Sequence, residues 1–106
     1  MYKCLLTVSF IRKFGSKGSG NGEFHSPIGI IVTSSPLSTS SVSLLRVVVV
    51  ENGNNRIQIL DGDGNFIRAF GSFGSLNQLR DPWGIAYEND VIVVCDTTNS
   101  RLVLFL

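Results

Sequence analysis

Residues 46–57 read RVVVVENGNNRI, and residues 91–102 read VIVVCDTTNSRL. Each stretch is an apolar run without polar alternation, and an acidic residue, an Asn, an Arg and an apolar residue follow it in the same order. A short apolar run of this kind indicates a strand that is covered on both faces. Because the pattern occurs twice in 106 residues, one structural unit is repeated in the chain.

A second repeated element precedes each of these stretches. Residues 14–18, FGSKG, return as residues 70–74, FGSFG, and residues 27–30, PIGI, return as residues 82–85, PWGI. The P-x-G-I copies are 55 residues apart, whereas the Asn-x-Arg copies are 45 apart, so the first unit contains an insertion. The Ser-rich residues 33–43 account for it and predict a surface loop. Without it the period matches the roughly 40–50 residues of a four-stranded propeller blade.

Short segments rich in Val, Ile, Leu and Phe are predicted to be strands rather than helices. They are residues 5–14, 28–32, 44–50, 56–60, 66–70, 84–87, 91–95 and 101–106. Residues 61–65, DGDGN, predict a tight hairpin turn between two of them. The predicted fold class is all-β, with propeller blades of four antiparallel strands.

These motifs resemble the NHL repeat, which is named for an Asn-His-Leu triplet that this sequence lacks. Residues 64–71, 82–85 and 96–102 follow the order of motifs in an NHL blade. Among such proteins the sequence is most similar to the tripartite-motif NHL group. The resemblance implies about two blades of a six-bladed propeller.

The resemblance also implies how the chain is divided into blades. Residues 1–14 would be the outer strand of a preceding blade, residues 15–70 a blade with the insertion at 33–43, and residues 71–106 a blade that lacks its last strand. Three interpretations of this strand count stay open. The chain is a fragment whose further blades belong to the same longer protein, a truncated product of low stability, or a homotrimer in which residues 5–14 complete a neighbour's last blade.

The function that the resemblance implies is a non-catalytic interaction platform. Its partner would be RNA or a protein, and it would be the target-recognition part of a tripartite-motif ubiquitin-ligase protein whose ligase chemistry lies in domains outside this chain. The alternatives are a structural or extracellular sensor propeller and a fragment of an NHL-fold lyase. The net charge of +1 weakens the RNA alternative.

We expect a cytoplasmic location and no association with a membrane. The most apolar run, residues 43–50, is broken by Arg46 and is far shorter than the roughly 20 residues of a membrane-spanning helix.

Two acidic–basic pairs recur in register and are predicted to stabilise each blade rather than bind a ligand. A residue that serves every blade is expected to pair with its own blade's acidic residue and with loop carbonyls. The predicted scaffold residues are Glu51, Asn54, Arg56, Asp96, Asn99 and Arg101.

Partner contact is expected at the loops that share one end of the blades, the top face of a propeller. These loops are residues 15–26, 51–55, 71–81 and 96–100. Side chains that differ between the copies are the better candidates for contact. They are Lys17, His25, Phe73 and Arg80.

No cofactor or metal is predicted. Asp61, Asp63 and Asn65 begin a calcium-loop pattern, but Phe66 and Ser72 stand where that loop needs Gly and Glu. His25 is the only histidine, so a His-based metal site cannot be assembled from this chain alone. Both cysteines, Cys4 and Cys95, are predicted to be buried free thiols, and Trp83 is predicted to pack in the core.

Overall fold

A computed structural model describes residues 8–34, 45–71 and 78–106 of the chain. Its strands are β1 (Pro27–Ser34), β2 (Leu45–Glu51), β3 (Arg56–Asp61), β4 (Phe66–Phe70), β5 (Pro82–Glu88), β6 (Val91–Asp96) and β7 (Arg101–Phe105). The described residues contain no helix, and hence none that could cross a membrane. The all-β class is therefore confirmed.

The strands form two antiparallel sheets in chain order. β1 to β4 make one sheet, here called blade 1, and β5 to β7 make the other, blade 2. This is the order predicted for a four-stranded propeller blade followed by the first three strands of the next. The hairpin predicted between β3 and β4 is present, with the Asp61 amide donating to the Asn65 carbonyl at 3.0 Å.

One face of blade 1 packs against one face of blade 2. In blade 1, Val48 pairs in register with Ile31 and Ile59, and partners across an antiparallel ladder point to the same face. In blade 2, Val94 pairs in the same way with Ile85 and Val103. The two faces together form the hydrophobic core, which consists of Ile31, Val48, Val50, Ile57, Ile59, Phe70, Leu79, Ile85, Ile92, Val94, Val103 and Phe105. Because β-branched side chains dominate it, this core favours strands over helices.

The opposite face is exposed in part in blade 1 and more fully in blade 2. We call the face of blade 1 that carries Ile30 and Val32 the outer face of blade 1; these side chains are 61% and 56% exposed. We call the face of blade 2 that carries Ala86, Val93, Cys95, Leu102 and Leu104 the outer face of blade 2. The outer face of blade 1 is thus accessible along β1 but buried at Val49 and Leu60, whereas the outer face of blade 2 is accessible at Cys95, Leu102 and Leu104.

Two burial predictions were wrong, for related reasons. Cys95 is exposed because it alternates with the buried Val94 and so lies on the outer face of blade 2. Trp83 is 58% exposed, because a bulge between Pro82 and Ile85 interrupts the register at this position. A bulge redirects the side chains beside it. Cys4 lies outside the described residues.

The prediction of a strand over residues 5–14 was also wrong for residues 8–14, which form no strand. An extended segment becomes a strand only when a neighbour satisfies its backbone groups. Instead, Arg12 pairs with Asp63 at 3.0 Å, and the ring of Phe14 lies over Gly64. The Ser-rich insertion lies outside the described residues from position 35 onward.

Candidate binding surface

A buried carboxylate organises the top end of blade 1. Glu51, the last residue of β2, is fully buried, and a carboxylate can be buried only where charged or polar donors surround it. It accepts hydrogen bonds from Arg56 Nε at 2.6 Å, Asn54 Nδ2 at 2.7 Å and Gln58 Nε2 at 2.9 Å. Its oxygens are therefore occupied by groups of the same blade.

Arg56 connects this carboxylate to the glycine-rich loop of residues 15–26. Its guanidinium donates to the carbonyls of Ser19, Gly20 and Glu23 at 2.9–3.0 Å. Asn54 adds a bond to the Gly18 carbonyl at 2.9 Å. A planar guanidinium can hold several acceptors at once, so one side chain fixes most of the loop.

Gln58 is a part of this network that the sequence did not reveal. It is fully buried, accepts from the Gly22 amide at 2.6 Å and donates to the Glu23 carbonyl at 3.0 Å. The equivalent position in blade 2 is Val103, so comparing the two copies gave no sign of it. The sequence gives one indication of this role, which is that Gln58 is a polar residue between the apolar Ile57 and Ile59.

Blade 2 has an equivalent arrangement around Asp96. The fully buried carboxylate accepts from Arg101 Nε at 2.6 Å, Asn99 Nδ2 at 2.9 Å and the Arg80 amide at 2.7 Å. Burial acts to raise the pKa of Asp96, but these three hydrogen bonds outweigh it and hold the pKa below its ordinary value of 3.8. Arg101 also donates to the Gln78 carbonyl at 2.6 Å.

The top loops of the two blades are joined to each other. Asn55 accepts a hydrogen bond from the Asp81 amide at 2.9 Å, and Asn52 donates to the Pro82 carbonyl at 3.3 Å. Asp81 in turn accepts from the Thr98 hydroxyl at 2.6 Å. Residues 15–26, 51–55, 78–81 and 96–100 therefore form one connected surface, which we call the top-loop surface.

The candidate contact residues lie on this surface, apart from Phe73, which is outside the described residues. Lys17, His25 and Arg80 are exposed. The backbone of His25 is held by Glu51 and Gly53, and its ring lies over Gly53, which has no side chain to displace it. The fold thus holds His25 in place while leaving it accessible.

In the β3–β4 hairpin, which carries the calcium-like pattern, the Asp61 carboxylate stabilises the turn itself. Asp61 accepts from the amides of Asn65 and Asp63, both at 2.9 Å. The Asn65 amide contributes most to lowering the pKa of Asp61. Across the described residues, no three His, Cys, Asp or Glu side chains are grouped as a metal site would require.

Comparison with known proteins identifies the class to which this architecture belongs. Residues 79–105, from the top loop of blade 2 to the end of β7, match the family model of the NHL repeat. The chain therefore contains an NHL repeat in blade 2, as the sequence motifs predicted, and its two antiparallel sheets are consistent with NHL propeller blades.

Two curated relatives, both tripartite-motif NHL proteins of Caenorhabditis elegans, are similar over longer stretches. The chain is 46% identical to Protein lin-41 over 57 residues, which is 54% of this chain and 4% of lin-41. It is 36% identical to RING finger protein nhl-1 over 84 residues, which is 78% of this chain and 8% of nhl-1. The chain thus spans less than a tenth of either relative.

Proposed function

We propose that this chain is a non-catalytic binding platform and that its top-loop surface recognises a protein partner. One observation carries the proposal: the glycine-rich loop of residues 15–26 is fixed by Arg56 while Lys17 and His25 stay exposed on it. A preorganised loop loses little conformational entropy on binding, which favours affinity. Loops on a rigid β scaffold are a common location for recognition residues.

A non-catalytic role is supported by the state of the buried carboxylates. Glu51 and Asp96 both accept several hydrogen bonds from their own blades. A general base needs an oxygen that can reach substrate, and neither carboxylate offers one at the surface.

A protein partner is favoured over RNA by the distribution of charge. Arg56 and Arg101 are engaged by buried carboxylates, so they contribute little to an external positive field. Sequence-independent RNA binding requires several basic groups that are free to meet phosphates. RNA is the second candidate, since the NHL resemblance implies it.

The proposal extends to target selection in a ubiquitin-ligase system in the cytoplasm. One matched relative is a RING finger protein, and a binding platform of this kind suits the task of choosing a target. In this extension the ligase chemistry belongs to other domains of the whole protein, and the platform selects the target.

The test is selection of ligands from a random peptide display library, followed by affinity measurements on variants. We expect Lys17→Ala with His25→Ala to weaken the selected peptides about fivefold or more, since an exposed anchor contributes on the order of 1 kcal/mol. The control is Glu88→Ala, at the opposite end of β5 from the top loops. Equal effects of the two variants would contradict the proposed surface.

An RNA arm separates the two candidates. Random-sequence single-stranded RNA is titrated at low salt and again at higher salt, because phosphate contacts are strongly salt-dependent. Weak binding at both salt concentrations is expected. Tight, salt-sensitive binding that the Lys17 and His25 substitutions abolish would assign the surface to RNA instead.

A further inference from the structure

Two asparagines of the chain precede a glycine, and both lie on the top-loop surface. They are Asn21, in the glycine-rich loop of residues 15–26, and Asn52, in the turn that follows β2. The other asparagines precede residues that carry a side chain. A glycine has no Cβ to obstruct its backbone nitrogen, so an Asn-Gly pair is the sequence in which the main chain most easily approaches the Asn side chain.

This approach is the first step of asparagine deamidation, a covalent change that needs no enzyme. The backbone nitrogen of the glycine loses its proton and attacks Cγ of the Asn side chain, which closes a succinimide ring and releases ammonia. Water then opens the ring at one of its two carbonyls and leaves aspartate or isoaspartate. The reaction is therefore slowed wherever the glycine N–H is held in a hydrogen bond or the Asn side chain is fixed away from it.

The fold blocks this reaction at Asn52 through three contacts. The Gly53 amide donates to the His25 carbonyl at 3.1 Å, and the ring of His25 lies over Gly53. The Asn52 side chain donates to the Pro82 carbonyl at 3.3 Å. Both reacting groups of this half-buried pair are therefore engaged.

At Asn21 a single contact restrains the reaction. Asn21 is exposed at a turn, and no hydrogen bond joins its side chain to another described residue. The Gly22 amide is held, since it donates to Gln58 Oε1 at 2.6 Å. Gln58 is fully buried, and its Nε2 donates to the Glu23 carbonyl and the Glu51 carboxylate, which fixes its orientation. The rate at Asn21 therefore depends on one hydrogen bond between the loop and β3.

We propose that Asn21 is a site of spontaneous deamidation in the folded chain and that Gln58 sets its rate. The isoaspartate product lengthens the main chain by one carbon between Gly20 and Glu23, the two residues whose carbonyls accept from Arg56 Nη2. Deamidation therefore loosens the segment of the loop that Arg56 fixes.

Deamidation also adds a negative charge to the top-loop surface, on the loop that carries Lys17 and His25. On the proposed function, on which this consequence rests, the recognition surface changes its charge as the protein ages. The deamidation itself is measured without any ligand, so its failure and a failure of the binding proposal are distinguishable.

Peptide mapping by mass spectrometry, during incubation at neutral to mildly alkaline pH, measures the two sites in one sample. Trypsin separates them, because residues 18–46 contain Asn21 and residues 47–56 contain Asn52, and fragment ions assign the modified residue. In the folded chain Asn21 should deamidate about fivefold faster or more, because Asn52 has one more hydrogen bond to break. In urea that unfolds the chain, both rates should rise and become similar.

Gln58→Val tests the restraint, with the residue that blade 2 carries at the equivalent position, Val103. It should raise the rate at Asn21 about fivefold, the factor that loss of one hydrogen bond allows, and leave the rate at Asn52 unchanged. Leu60→Val is the matched control, since Leu60 is fully buried in the same strand and its apolar side chain accepts no hydrogen bond from the loop. It should leave both rates unchanged.

Three outcomes would overturn the proposal. One is a rate at Asn52 that equals or exceeds the rate at Asn21 in the folded chain. Another is a difference between the two sites that stays the same in urea, since it would then arise from the local sequence. The third is a Gln58→Val variant in which Asn21 reacts no faster, or in which both sites accelerate alike, since the restraint would then belong to the fold as a whole.

Discussion

At the scale of single residues, Asp96 makes the clearest prediction. Its folded pKa lies below the ordinary value of 3.8 even though burial acts to raise it, because the Arg80 amide, Asn99 and Arg101 donate to the charged form. The unfolded chain therefore binds the proton more readily than the folded one. The stabilisation is fully present above about pH 5 and is lost as the pH falls through the folded pKa. Urea unfolding followed by Trp83 fluorescence between neutral and acid pH measures this loss.

Asp96→Asn isolates the contribution of the carboxylate. At neutral pH the variant should lose about 3 kcal/mol of unfolding free energy, because Arg101 loses its buried partner. Its stability should also depend less on acid pH than that of the unmodified chain. Asp90→Asn, on an exposed turn, is the control. Parallel acid profiles for Asp96→Asn and the unmodified chain would show that another group governs acid unfolding.

The role of a single residue could be predicted where that residue recurs in both blades. Arg56 and Arg101 recur in register, and this pointed to pairing with the acidic residue of the same blade. Gln58 has no counterpart in blade 2, so its bonds to the loop could not be anticipated. The bridge from Asn55 to Asp81 was equally hidden, since a contact between blades depends on how two sheets pack.

At the scale of elements, the turn before β7 contains a residue in an unfavourable conformation. Ser100 has a φ of 52°, and the equivalent residue in blade 1, Asn55, has a φ of 53°. Asn tolerates this left-handed region better than Ser. We therefore expect Ser100→Asn to raise the unfolding free energy by up to about 1 kcal/mol, measured by urea unfolding. Thr97→Asn changes the same turn at a residue whose φ is not positive, and an equal gain there would contradict the explanation.

Strand positions were predictable because local sequence determines them. Turn residues with special backbone conformations separate the strands, and β-branched runs fill them, so each predicted segment from β1 onward overlaps the observed strand. Residues 8–14 have the same composition but form no strand. Composition indicates which segments can pair, whereas a strand also needs a partner along its edge.

At the scale of the whole molecule, the sequence predicted the burial of β2 correctly and overstated that of β6. The runs in both strands lack polar alternation, which predicts burial of both faces, and in β2 the consecutive residues Val48, Val49 and Val50 are all buried. Blade 2 instead buries Val94 and exposes Cys95. The two residues have similar hydrophobic character, so the difference arises from which face has a neighbouring sheet. A run without polar alternation is typical of a strand with a neighbouring sheet on each face. In the described residues, blade 2 has a neighbouring sheet on one face.

Neighbouring residues on opposite faces of β6 test this account of the molecule. Val94 is fully buried between the blades, so Val94→Ala should cost about 2 kcal/mol of unfolding free energy from lost burial and the cavity left behind. Val93 lies on the outer face of blade 2, and in dilute solution Val93→Ala should cost less than about 1 kcal/mol. Urea unfolding measures both costs, and equal losses for the two variants would contradict the difference in burial between the two faces of β6.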